Sequence, residues 1–133
     1  MTNVKRAVAL GLFASLMLFG TRTLPAQDGI TRTDVQTSDL SIPGREVVQQ
    51  MVEIQPGAVV AKHTHPGEEA GVLLNGTLLL EVAGKPAVTL NAGQGFVVRA
   101  GTAHGVKNTG SGPAKLLATY IVEKGKPLRT PAP

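Results

Sequence analysis

From Thr31 onward the apolar positions of this chain come in short runs divided by glycine and proline, and no stretch sustains the 3.6-residue recurrence of an amphipathic helix. The runs predict strands over Thr33–Asp39, Glu46–Ile54, Val59–Thr64, Ala70–Leu74, Thr77–Val82, Ala87–Leu90, Gly95–Arg99, His104–Asn108 and Leu116–Val122. An all-β domain with short strands at this spacing is a sandwich or barrel. The last stretch, Gly125 to Pro133, has three prolines and no core pattern, so it is expected to be a mobile or surface-wrapping tail.

Two turns carry their own chemistry. Pro56-Gly57 suits the centre of a type II turn, where proline fixes the first φ and glycine supplies the positive second one. Asn75-Gly76 suits a two-residue type I′ hairpin between the Leu74 and Thr77 runs. That hairpin would set Leu73 against Leu78, Gly71 against Leu80 and Glu69 against Val82, leaving Glu69 on the same apolar face as Leu73, Leu78 and Leu80. A carboxylate on an apolar face is costly unless a cation pairs with it.

The N-terminus differs from the rest. Lys5 and Arg6 precede an apolar run of 14 residues, Ala7 to Gly20, and then a polar stretch ending Leu24-Pro25-Ala26. That is the three-part layout of a secretory signal peptide cut after Ala26, and the run falls short of the roughly 18 residues that suggest a spanning helix. The expected organisation is a signal peptide over 1–26, one β domain over 27–124 and the tail over 125–133. The mature protein is expected in the periplasm or secreted, off the membrane once cleaved. Three of the 13 basic residues (Lys5, Arg6, Arg22) fall in the leader, leaving 10 against 9 acidic ones. A nearly neutral chain without basic runs lacks the footprint of a nucleic-acid binder. With no cysteine there is no disulfide, thiolate nucleophile or thiolate ligand.

The chain has three histidines, His63, His65 and His104. His63 and His65 are two apart on a predicted strand and share a face, Glu69 lies on the apolar face of the next strand, and His104 opens a later one. Three imidazoles with one carboxylate suit a divalent transition metal (manganese, iron, nickel, copper or zinc) better than calcium or magnesium, and leave coordination positions open.

These residues resemble the motifs of the cupin superfamily. Gly57, His63, His65, Glu69 and Gly76 match the first motif at its spacings; Gly93, Gly101, His104 and Asn108 match the second, with Arg99 where proline is usual. The resemblance implies a small cupin, a double-stranded β-helix or jelly-roll-like antiparallel barrel. It also implies metal ligation by His63, His65, Glu69 and His104, and a homodimer. Asn108 is expected to support the site, Glu68 to face solvent, Arg99 to lie along the surface or reach the mouth, and Phe96 and Tyr120 to be core.

With every histidine on the metal, chemistry would run through the ion, with Glu69 as proton acceptor. The leading expectation is a dioxygenase-like enzyme acting on a small oxygen-bearing compound that chelates the ion, as in quercetinase-like cupins. A metal-dependent isomerase or lyase of a sugar acid, or a non-catalytic binder of a small molecule or metal, are the alternatives. A site sealed by Leu73, Leu78 and Leu80 would favour the binder.

Overall fold

The computed structural model describes residues 28–133 as ten strands: β1 (Ile30–Asp39), β2 (Arg45–Ile54), β3 (Val59–Thr64), β4 (Gly67–Asn75), β5 (Thr77–Val82), β6 (Val88–Asn91), β7 (Gly95–Val98), β8 (His104–Asn108), β9 (Ala114–Glu123) and β10 (Thr130–Pro131). The proposed leader lies outside the described residues. All pairings are antiparallel, in two five-stranded sheets ordered β1-β2-β9-β4-β7 and β10-β3-β8-β5-β6. The fold is the expected all-β architecture of two antiparallel sheets. No helix among the described residues is long and apolar enough to cross a membrane.

Strict alternation builds the core. In β9, Ala114, Leu116, Ala118, Tyr120 and Val122 are buried at every second position; in β4 the buried positions are Gly67, Glu69, Gly71 and Leu73. From the other sheet Val60, Leu78, Leu80, Leu90 and Val106 join the same cluster. Truncating the fully buried Leu73 to alanine would cost about 2–5 kcal/mol through lost transfer energy and the cavity left behind.

The Pro56-Gly57 turn forms as expected: Ala58 N–H donates to Gln55 O at 3.0 Å and Gly57 has φ +76°. The Asn75-Gly76 hairpin does not form, because β4 and β5 belong to different sheets. A type I′ turn needs positive φ at both central residues, and here only Gly76, at +85°, has it. Gly76 instead carries the chain from one sheet to the other, so close to Ala114 that an added Cβ would lie 2.9 Å from the Ala114 Cα. Leu78 pairs with Asn108, Leu80 with Val106 and Val82 with His104. The inward parity of Glu69, Leu73, Leu78 and Leu80 is the same in both arrangements, but the residues meet across the core and not along one sheet.

The C-terminal segment is tied down on the edge of β3. Thr130 pairs with Thr64 and Pro131 with His63, and Leu128 packs against the core, which the proline-rich composition concealed.

Candidate metal centre

The four expected residues meet at one end of the barrel, drawn from both sheets. His63 sits near the end of β3 directly opposite His104, the first residue of β8; Glu69 projects from the inner face of β4; His65 lies between β3 and β4. Simple alternation would put His63 and Val60 on opposite faces, yet both turn inward. A bulge between Val60 and His63 shifts the register by the needed residue. Gly105 lies against that bulge, where an added Cβ would stand 2.7 Å from Val60 O.

Hydrogen bonds fix the tautomer of each imidazole. The Nδ1 of His63 is 2.8 Å from Ala61 O, that of His65 is 2.5 Å from Leu128 O, and that of His104 is 3.0 Å from Thr102 O. A backbone carbonyl only accepts, so each Nδ1 must carry the proton and donate it. In a neutral ring Nε2 is then left with a lone pair, and it donates to Glu69 only when the ring takes up a second proton. His63 Nε2 and His65 Nε2 are 3.1 Å apart, and Glu69 Oε2 lies 3.0 Å from His65 Nε2 and 2.8 Å from His104 Nε2. The four ligand atoms lie within 4.8 Å of one another. Acceptors cannot converge so closely without a cation among them. A proton bridges one pair at a time, whereas a divalent ion serves all four, so the donor set fits a metal held by His63, His65, Glu69 and His104.

Electrostatics follow from the same contacts. Burial by itself would raise the Glu69 carboxyl, but its hydrogen bonds with His104 and His65 override this and hold it at about 2. Burial lowers His63 to about 4, keeping the ring neutral and ready to ligate. For His104 burial also pulls downward, but the bond to Glu69 outweighs it and the pKa is raised.

A narrow cleft of about 20 Å³, room for about one water, opens onto His63, Glu69 and His104. Its apolar wall is Val52, Ile54, Val60, Phe96, Val106 and Leu116; Leu73, Leu78 and Leu80 do not line it. Tyr120, expected simply as core, is buried but also lines the cleft, its ring 4.7 Å from that of His65. Burial, then the Glu69 charge, push its hydroxyl pKa upward.

Asn108 does not support the metal ligands. It is buried at the opposite end of β8, donating Nδ2 to Ile54 O at 2.8 Å and Gly112 O at 2.9 Å and accepting Gly110 N–H at 2.8 Å. It locks the turns after β2 and β8. Arg99 is exposed and opens the turn to Thr102, and Glu68 is exposed on the outer face. Sequence reasoning missed Arg32 and Arg129, which line the cleft, and the Leu128 carbonyl that orients His65. The alternation Ile30, Arg32, Asp34 against Thr31 and Thr33 was a signal for the first, since it sets charged residues on one face of a strand; nothing marked the tail.

Comparison with known proteins agrees with this geometry. The family described as "Cupin domain" matches residues 50–120. A stretch of 79 residues, 59% of the chain, is 29% identical to the HTH-type transcriptional regulator PuuR of Escherichia coli (strain K12), and the chain spans 42% of that protein's length. A solved double-stranded beta-helix protein from Klebsiella pneumoniae superposes with TM-score 0.65 at 21% identity, over 83% of this chain and 90% of its own. An oxalate oxidase in complex with the substrate analogue glycolate gives 0.64 at 22%, over 80% and 56%. KdgF from Halomonas sp. gives 0.61 at 22%, over 76% and 86%.

Proposed function

This chain belongs to the cupin domain family, and from that premise we propose that it is an exported metal-dependent enzyme of dioxygenase type, acting on a small oxygen-bearing compound that binds the ion through two oxygens. One observation carries the reading: three imidazole Nε2 lone pairs and a carboxylate oxygen converge where a cleft reaches them. A bound ion would supply Lewis acidity and, if redox-active, reactivity toward dioxygen. The protein's own groups do the rest. The carbonyls of Ala61, Leu128 and Thr102 hold the rings in ligating orientation, and the apolar wall excludes water from around a bound ligand. Glu69, the one carboxylate lining the cleft among the described residues, is the proposed proton acceptor. Its bonds to His104 and His65 make it a weak base, suited to ligands whose proton a cation has already acidified.

The fold hosts varied chemistry, so the cleft must decide. Leu73, Leu78 and Leu80 stand clear of it and do not seal the site, but the cleft holds only about one water, so a chelating ligand must widen it. Iron-loaded protein given enol-bearing compounds should consume dioxygen in an oxygen electrode. Turnover unchanged without oxygen would point to isomerase or lyase chemistry, and no turnover at all to a binding protein.

Two further parts of the proposal rest on other features. Export follows from the layout of residues 1–26, and protein recovered from its native compartment should begin at Gln27. A homodimer is supported by Val72, Leu74, Val97 and Ile121, exposed by 43%, 46%, 64% and 39% on the β4, β7 and β9 strands of one sheet. Sedimentation should give twice the chain mass.

A further inference from the structure

For a chelating ligand to enter so narrow a cleft, part of the wall has to move. The lining residues come from β1, β2, β3, β4, β7, β8 and β9 with a single exception among the described residues, Arg129, which belongs to the segment after β9. That segment runs along the metal centre. The Leu128 carbonyl meets His65 Nδ1 at 2.5 Å, and Thr130 and Pro131 pair with Thr64 and His63 on the edge of β3.

Its attachments are slight. Both residues of β10 are exposed, and Pro131 has no N–H to give to the ladder. Ala132 N–H donates to Lys62 O at 3.0 Å, Arg129 Nη2 donates to Gln50 Oε1 at 3.2 Å, and the half-buried Leu128 packs against the core. Lys124 N–H is held by Gly44 O at 3.0 Å, but every residue from Lys124 to Pro127 is exposed, and nothing lies within 4 Å of where a Cβ on Gly125 would stand. The Lys126–Glu123 ion pair at this bend is solvated and adds little restraint. The opposite wall is of another kind: Val52, Ile54, Val60 and Leu116 are core residues on fully laddered strands. Local opening takes the segment with the fewest buried contacts, which here is 128–132.

We infer that residues 128–132 form a strap that swings about Gly125–Pro127 independently of the barrel, and that its lifting admits a chelating ligand to the metal centre. Closed, the strap returns the Leu128 carbonyl to His65 and Arg129 to the cleft wall, so the ring is set and the opening narrowed in one movement. The inference rests on the metal-centre reading for what lies behind the strap and not for the strap's movement.

A crosslink tests this in the full chain without turnover. Thr64 and Thr130 are partners across the β3–β10 pair, alternation turns Thr64 away from the rings of His63 and His65, and the sequence has no cysteine to compete. A Thr64→Cys, Thr130→Cys variant can therefore be closed by one disulfide and reopened with reductant. Cobalt(II)-loaded protein mixed rapidly with acetohydroxamate, a two-oxygen probe, reports entry through its visible absorbance. The crosslinked form should bind the probe at least about tenfold more slowly than the same sample reduced, and Leu128→Ala, which loosens the strap, should speed entry. In the wild type the Ala132 amide, bonded to Lys62 O, should exchange with deuterium at least about a hundredfold faster than the Ala118 amide of the central strand β9. An entry rate that neither the crosslink nor Leu128→Ala alters, or Ala132 exchange as slow as that of Ala118, overturns the strap. Should the protein hold no cobalt, the metal reading fails, and the exchange comparison decides the strap by itself.

Discussion

Replacing Asn108 with alanine separates what holds the barrel from what holds the ion. The side chain is 1% exposed and makes three hydrogen bonds, to Ile54 O, Gly112 O and Gly110 N–H. A net worth of about 1 kcal/mol for each gives roughly 3 kcal/mol of lost stability, before any penalty for leaving those backbone groups buried and unpaired. For a domain of this size that lowers Tm by about 12 °C. The two turns it locks lie at the far end of β8 from His104, so metal stoichiometry should be unchanged below the transition. Asn108→Asp should be similarly harmful at neutral pH, since a carboxylate cannot donate to two carbonyls. Because those carbonyls favour the protonated form, the introduced group's folded pKa is raised, so its deficit should shrink as pH falls through that raised pKa and be smallest once pH reaches about 4, the unfolded value. Circular dichroism melts with metal analysis on the same samples measure both quantities. A loss under 1 kcal/mol, or loss of metal with an unchanged melt, would refute this assignment.

Gly105→Ala should lower stability and metal affinity together, because its Cβ would press at 2.7 Å on Val60 O and force apart the strands that carry His63 and His104; urea unfolding with metal titration measures both. Metal affinity should fall with acidification by about tenfold per pH unit below the raised pKa of His104, where a proton competes with the ion for that ring, while His63 at about 4 and Glu69 at about 2 resist protonation; competition with a chromogenic chelator across pH follows this. Glu69→Gln should retain some metal but lose most turnover, because an amide oxygen can coordinate and cannot accept a proton, as paired metal and oxygen-electrode measurements would show. Saturating metal at about 100 times its Kd should stabilise the fold by about 2.7 kcal/mol, read as a rise in Tm that a chelator reverses.

The cluster of His63, His65, Glu69 and His104 was legible in the sequence because it depends on side-chain type and spacing, and the face of Glu69 because alternation survives any change of partner strand. Which strands pair was not legible: Leu73 and Leu78 alternate inward whether they are neighbours in one sheet or opposed across the core, and Asn75-Gly76 reads as a hairpin until the φ of Asn75 is known. The β3 bulge was hidden for a similar reason, since it reverses parity without altering composition. Asn108 shares the inward parity of His104, but parity cannot say which end of the strand a side chain serves. The roles of Leu128 and Arg129 depend on a chain return over a long sequence separation, through segments whose local pattern carries no sign of it.

Elemental analysis of purified wild-type protein and of a His63→Ala, His104→Ala double variant tests the central claim most directly, provided both are shown folded by circular dichroism. About one equivalent of a divalent transition metal per chain in the wild type, and none in the variant, is the predicted result. Equal metal content in the two would contradict the assignment of His63, His65, Glu69 and His104 as its ligands.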